Sequence, residues 1–177
     1  MKIKKTKFKD LLVIYQKKNI DNRGSLRETF NNKILKKKFI FEYCTTSKKD
    51  VLRGFHFQYK FKQSKYVNVL KGKILDVVID LRKKSKTFGK VFKIILSKEN
   101  AIGLYIPAGF AHAYYSIEKQ NIIYYKLDNY YAPKYESGIV YNDPIVKINW
   151  PKNKFLVSKK DKKLLTFKQF CNRFYGI

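Results

Sequence analysis

"SKYVNVLKGKILDVVIDLRK", residues 64–83, carries two apolar runs on either side of Lys71-Gly72. Val, Ile and Leu recur in it at every second residue, and successive side chains of an extended chain point to opposite faces. Leu75, Val77, Ile79 and Leu81 then share one face, and the Lys-Gly pair reads as the turn of a β-hairpin. Similar runs follow in "KVFKIILS" (90–97), "GLYIPAGF" (103–110), "AHAYYSIE" (111–118) and "NIIYYKLDNYY" (121–131). Short strands at this spacing suit a sandwich or barrel, because parallel βαβ units would need a helical pattern between them. The expectation is a mainly β fold.

Two segments carry a helical pattern. "NKILKKKF" (32–39) is a short one, and "SKKDKKLLTFKQFCNRF" (158–174) is the better supported. Leu164, Phe167, Phe170, Cys171 and Phe174 recur there near helical spacing. Ser158 with Asp161 three residues on fits a capping box that starts this C-terminal helix. Asp161 therefore has a structural explanation before any catalytic one.

A chain of 177 residues with 45% hydrophobic content is large enough to bury a core and suits a single domain over 1–177. Forty Lys and Arg against 13 Asp and Glu give a net charge of +27, which favours an anionic partner of some kind. Most of the excess is Lys dispersed from end to end, which argues against a nucleic-acid groove. Cys44 and Cys171 lie far apart and form neither a disulfide framework nor a zinc motif, so a reducing cytoplasm is expected. No apolar run approaches a membrane span, and "LLVIY" (11–15) is too short for a signal-peptide core.

The chain has two histidines. In "VLRGFHFQ" (51–58), His56 and Gln58 point to one face of a strand and Phe55 and Phe57 to the other. A polar face inside a barrel lines a cavity, where a histidine moves protons; the alternative is a histidine satisfied by a hydrogen bond. The second, His112, follows the Pro107-Ala108-Gly109 turn. Two histidines without a Glu-x-x-x-His arrangement are a poor ligand set for zinc or iron, so no metal is expected and a polar contact to a ligand is preferred.

"DNRGSLRETF", "VLRGFHFQ", "QSKYV", "ILDVVIDLRKKSKTFGK", "LSKEN", "LYIPAGFAHAY", "YYKLDNYYAPKYESGIVYNDP", "INWP" and "VSKKD" are co-linear with the motifs of one family over residues 20–161. In these stretches the chain resembles the dTDP-4-dehydrorhamnose 3,5-epimerases. The resemblance implies a cupin-type jelly-roll barrel with a short C-terminal helix, a homodimer, and no cofactor. It implies a dTDP-linked 4-keto-6-deoxyhexose as substrate, inverted at C3 and C5 by removal and return of protons beside the ketone. Such chemistry needs a base, a cation at the developing enolate, and an acid on the opposite ring face.

By that resemblance His56 is the base, Asp161 the carboxylate that orients it, Lys65 the enolate cation and Tyr125 the acid. Tyr124, its neighbour, points to the other face of a strand. Arg23, Glu28, Arg53, His112, Glu136 and Lys160 match positions that contact the sugar nucleotide, and Tyr131 matches the residue that stacks on the base. Some positions depart from the family. Upstream of "VLRG" the family usually offers a Gln and an Asn, where this chain has Phe41, Glu42, Tyr43 and Cys44; "FAHGF" is here "FAHAY", and "WND" is "YND" at Tyr141. An intact catalytic set beside a drifted binding set keeps open an epimerase acting at C3 or C5 alone. A more distant alternative is a polyanion-binding module, supported only by the charge.

Overall fold

A computed structural model describes residues 1–152 and 154–177. Two antiparallel sheets face one another. The first contains β1 (Lys2–Lys5), β2 (Leu12–Tyr15), β5 (Phe41–Lys48), β7 (Lys65–Lys71), β10 (Ile102–Ile106) and β12 (Gln120–Leu127), in the order β1-β2-β10-β7-β12-β5. The second contains β6 (Leu52–Gln58), β8 (Lys73–Asp80), β9 (Val91–Ser97), β11 (Phe110–Ser116) and β13 (Glu136–Gly138), in the order β13-β6-β11-β8-β9. A separate two-stranded ribbon joins β3 (Lys18–Asp21) to β4 (Gly24–Arg27).

Ser64–Lys83 is not a hairpin. Its two halves are strands and Gly72 turns between them, but β7 pairs with β10 and β12 while β8 pairs with β11 and β9. The turn is a corner that carries the chain from one sheet to the other. At Gly72 φ is +79, and a Cβ would stand 2.3 Å from the Gln120 carbonyl oxygen, so the corner requires glycine. Periodicity reports that a segment is extended; the partner of each strand is set by distant residues.

The alternation in β8 has a consequence that a hairpin would not. Ile74 and Val78 enter the core between the sheets with Val13, Val67, Val69, Leu104, Ile123 and Leu127. Val77 and Ile79, with Leu81 beyond the strand, point outward into a second apolar cluster with Phe55 and Phe57. That cluster is closed by α2 (Phe167–Phe174), whose Phe170 and Phe174 rings meet Phe57 edge-on at 5.4 and 5.8 Å. The short α1 (Asn32–Leu35) covers the outer face of the other sheet, where Leu35 packs with Ile14, Tyr66 and Tyr105.

The C-terminal helix starts later than its sequence pattern suggests. Thr166 is the N-cap and exchanges capping bonds with Gln169, whereas Asp161–Lys163 forms one 3-10 turn and Leu164 is extended. Ser158 does accept from the Asp161 amide at 3.0 Å, which is half of the expected box. The Asp161 carboxylate has a competing set of donors, described below, and the capping reading fails for that reason.

Candidate active site

The site is organised by an irregularity in β6. His56 pairs directly with His112 on β11, but Arg53 pairs with Tyr114, so β6 spends one more residue than its partner over this interval. Strict alternation would put Arg53 on the side of Phe55 and Phe57; the bulge turns it to the side of His56. Gly54 allows this. Its φ is +114, and a Cβ there would lie 2.5 Å from the His112 carbonyl oxygen.

Arg53, His56 and His112 thereby face a cavity of about 680 Å³ between the sheets. From the opposite sheet it is lined by Tyr43 on β5, Lys65 on β7 and Tyr125 on β12, and its rim is the segment holding Ser158, Lys160 and Asp161. A smaller contiguous space of about 70 Å³ is shared by Tyr43, His56, Lys65, Tyr131 and Glu136.

His56 is held at one edge. Its Nε2 lies 2.9 Å from Asp161 Oδ1, while the Gly54 amide donates to Asp161 Oδ2 at 3.0 Å. Burial opposes ionisation of Asp161, but the His56 bond, the Gly54 amide and Ser158 together hold its carboxyl below the ordinary aspartate value. A carboxylate only accepts, so the neutral imidazole carries its proton on Nε2 and leaves the Nδ1 lone pair free. That nitrogen is 4.0 Å from Glu136 Oε1. Glu136 also stays below its ordinary value against the effect of burial, because Lys160 bonds it and His56 and Tyr131 lie close.

Lys65 is partly buried where it reaches the cavity. Burial pulls its ammonium below the ordinary lysine range, and Glu136 and Asp76 oppose the shift. Among the described residues it makes no direct ion pair, so both carboxylates act at longer range. A desolvated cation without a close counter-ion is suited to an arriving negative charge.

Tyr125 faces inward and Tyr124 outward, where Tyr124 donates to Glu42. Burial pushes the Tyr125 phenol well above its ordinary value, with Tyr114, Tyr43 and Asp76 adding to the effect. It is a neutral donor at physiological pH. Behind it His112 Nε2 lies 2.8 Å from Asp76 Oδ2, and the other Asp76 oxygen is buried with no hydrogen-bond partner among the described residues.

His56, Lys65, Tyr125, Asp161, Arg53, His112 and Lys160 thus share one cavity, with Glu136 and Tyr131 beside it. Tyr131 donates to Glu136 at 3.0 Å and is half exposed. Arg23 and Glu28 are not brought to this cavity. Arg23 pairs with Asp21 at 2.7 Å at the tip of the ribbon, and Glu28 accepts from Asn31 at 2.5 Å. The sequence marked Tyr43 and Tyr114 only as departures from the family pattern and gave Asp76 no role. A carboxylate flanked by apolar residues in "ILDVV" was the signal available for Asp76, since a buried charge needs a partner. Among the described residues no group of three or more His, Cys, Asp or Glu is placed to hold a metal.

Residues 5–169 match the family model described as dTDP-4-dehydrorhamnose 3,5-epimerase. The chain belongs to this family. A dTDP-4-dehydrorhamnose 3,5-epimerase of Methanothermobacter thermautotrophicus is 38% identical over 166 residues, 89% of this chain and 90% of that one. The epimerase of Legionella pneumophila, solved in complex with dTDP-4-keto-L-rhamnose, is 36% identical with a TM-score of 0.90, covering 94% of this chain and 93% of that one. The Bacillus anthracis epimerase, solved with TDP and pyrophosphate bound, is 34% identical with a TM-score of 0.91 and covers 94% and 99%. Likeness of this extent makes the fold the cupin-type jelly roll of the dTDP-4-dehydrorhamnose 3,5-epimerases, as the resemblance implied.

Proposed function

We propose that this chain is an isomerase that inverts C3 and C5 of a dTDP-linked 4-keto-6-deoxyhexose, a dTDP-4-dehydrorhamnose 3,5-epimerase. The observation that carries the mechanism is the placement of His56 and Tyr125 on opposite sheets, facing one cavity that also holds the desolvated Lys65. A sugar ring between the sheets has the base on one face and the acid on the other.

His56 Nδ1 takes the proton from the carbon beside the ketone. The C–H electron pair forms the enolate double bond, and the carbonyl pair moves onto O4. Asp161 stabilises the imidazolium that results, as in other oriented His–carboxylate pairs. Lys65 stabilises the charge on O4, an interaction stronger in the transition state than in the bound ketone. Tyr125 then gives its proton to the opposite face of the carbon, O4 returns to a carbonyl, and solvent restores both side chains. Each inversion conserves protons and electrons.

Arg53, Lys160 and His112 are read as substrate contacts, with Tyr131 as the base-stacking surface and Glu136 as the acceptor that orders Lys160 and Tyr131. Arg23 and Glu28 reach a site through a homodimer in this reading. The ribbon that bears them exposes Ile20 at 73% and Leu26 at 69%, and an isolated two-stranded ribbon is marginal in water. A second copy that covers it accounts for both facts. The chain is read as one domain over residues 1–177, acting in the cytoplasm, where its thiols Cys44 and Cys171 stay reduced. Among the described residues no helix is long and apolar enough to cross a membrane.

The test is proton NMR of dTDP-4-keto-6-deoxyglucose in deuterated water with the purified protein. Loss of both the C3 and C5 proton signals, absent in His56→Ala, is the expected result. Exchange at one carbon would reduce the assignment to a single-site epimerase, and exchange at neither would remove the epimerase reading.

A further inference from the structure

Tyr125 has an aromatic neighbour that the mechanism above does not use. In the pairing of β12 with β5, Tyr125 stands directly opposite Tyr43, and on its other side, on β7, it stands opposite Val67. The Tyr43 and Tyr125 rings are stacked, with centroids 4.7 Å apart and an interplanar angle of 23°. His112 meets Tyr125 edge-on at 6.2 Å from the facing sheet. Phe41, two residues before Tyr43 and on the same face of β5, continues the wall at 5.7 Å from Tyr43 and 6.0 Å from Tyr130. β5 is the edge of its sheet, so Tyr43 is the last side chain between Tyr125 and the open border of the strand ladder.

Resting on the epimerase reading, we propose that Tyr43 is a positioning residue: its ring clamps Tyr125 so that the phenol is aimed at the sugar face opposite His56. With Val67 on one side and Tyr43 on the other, the phenol ring is confined to one plane. Removal of Tyr43 opens the side toward the sheet edge, where the ring can swing and water can enter. The enolate still forms, since His56, Asp161 and Lys65 lie on other strands and turns. It is then reprotonated from the face it left, because His56 still holds a proton there. His56 is partly exposed, so that proton exchanges with solvent before its return. The signature of a lost clamp is therefore deuterium uptake without inversion.

The experiment compares the parent protein with Tyr43→Phe and Tyr43→Ala on dTDP-4-keto-6-deoxyglucose in deuterated water, measuring inverted product against deuterium in unreacted substrate. Tyr43→Ala is expected to lower the inversion-to-exchange ratio by up to about tenfold, the scale of one lost aromatic pair, mainly through kcat. Tyr43→Phe keeps the ring and recovers the ratio. Tyr43→Leu, which keeps the strand packed without a flat face, repeats the test if the alanine variant does not fold. A parental ratio in the Ala and Leu variants overturns the proposal. So does an equal loss in Tyr43→Phe, which would assign the effect to the hydroxyl, or an effect confined to KM, which would assign it to binding. A parent protein that exchanges no proton fails at the level of the epimerase reading, and that failure is distinct from a parent that epimerises with an indifferent Tyr43.

Discussion

Asp161→Asn separates the catalytic from the structural use of one carboxylate. Asp161 is 4% exposed, and its two oxygens meet His56 Nε2 at 2.9 Å and the Gly54 amide at 3.0 Å. For opposite unit charges about 4 Å apart at an effective dielectric of about 20, Coulomb's law gives about 4 kcal/mol once His56 is protonated. His56 keeps 27% of its side chain exposed, so solvent reduces this to about 2–3 kcal/mol. Asparagine has a similar shape and no charge, and the expected loss in kcat is about 30- to 150-fold. The fold is weakened separately. With its oxygen on the Gly54 amide, the new NH2 group either donates to an Nε2 whose proton has moved to Nδ1, which keeps the bonds but removes the base, or meets an imidazole still protonated on Nε2; in the second case one unmade buried hydrogen bond costs about 1–3 kcal/mol, with each kcal/mol worth about 2–4 °C in Tm. The assay pairs steady-state epimerisation with deuterium exchange at C3 and C5, and thermal unfolding is followed on the same samples. A variant that melts lower but retains parental kcat would refute the oriented-pair argument and leave Asp161 a purely structural residue.

Three further outcomes follow from the same geometry. Tyr125→Phe removes the opposite-face acid but not the base, so deuterium exchange should survive better than inversion; full epimerisation by this variant, read from the NMR products, would move the role elsewhere. Because burial lowers the Lys65 value, the alkaline limb of kcat/KM should fall below the ordinary lysine value of 10.5, and a profile flat through that region would remove Lys65 as the enolate cation. Asp161 and Glu136 have folded values below their ordinary 3.8 and 4.5. Their contribution to stability is complete above those values and is lost as pH falls through the folded ones. Melting temperature should therefore drop in acid, and less steeply in Asp161→Asn; superimposable acid limbs for variant and parent would contradict the shift.

Local pattern made much of this protein legible. The period of two marked the strands, and the alternation in "GFHFQ" correctly set Phe55 and Phe57 apart from His56. The aromatic spacing near the C-terminus identified the face of α2 that packs on Phe57. Co-linear motifs named the family, and they singled out His56, Lys65, Tyr125 and Asp161, which the fold brings to one cavity. Each of these signals is local or a sum of local matches, because side-chain direction within one element follows from its backbone period.

What needed the tertiary structure was every choice between partners. Lys71-Gly72 could close a hairpin or turn a corner between sheets, and distant pairing with β10, β11 and β12 selected the corner. Ser158 and Asp161 could open a helix, but Asp161 found stronger donors 105 and 107 residues away in His56 and Gly54. The bulge that turns Arg53 into the cavity, the Asp76 partner of His112 and the stack of Tyr43 on Tyr125 have no counterpart in any short window. Sequence by itself determined which segments are extended, which faces are apolar and which residue types could do the chemistry. Only the folded chain decided which of them meet, because a hydrogen bond or a ring stack depends on distances between strands, and those are set by the packing of both sheets together.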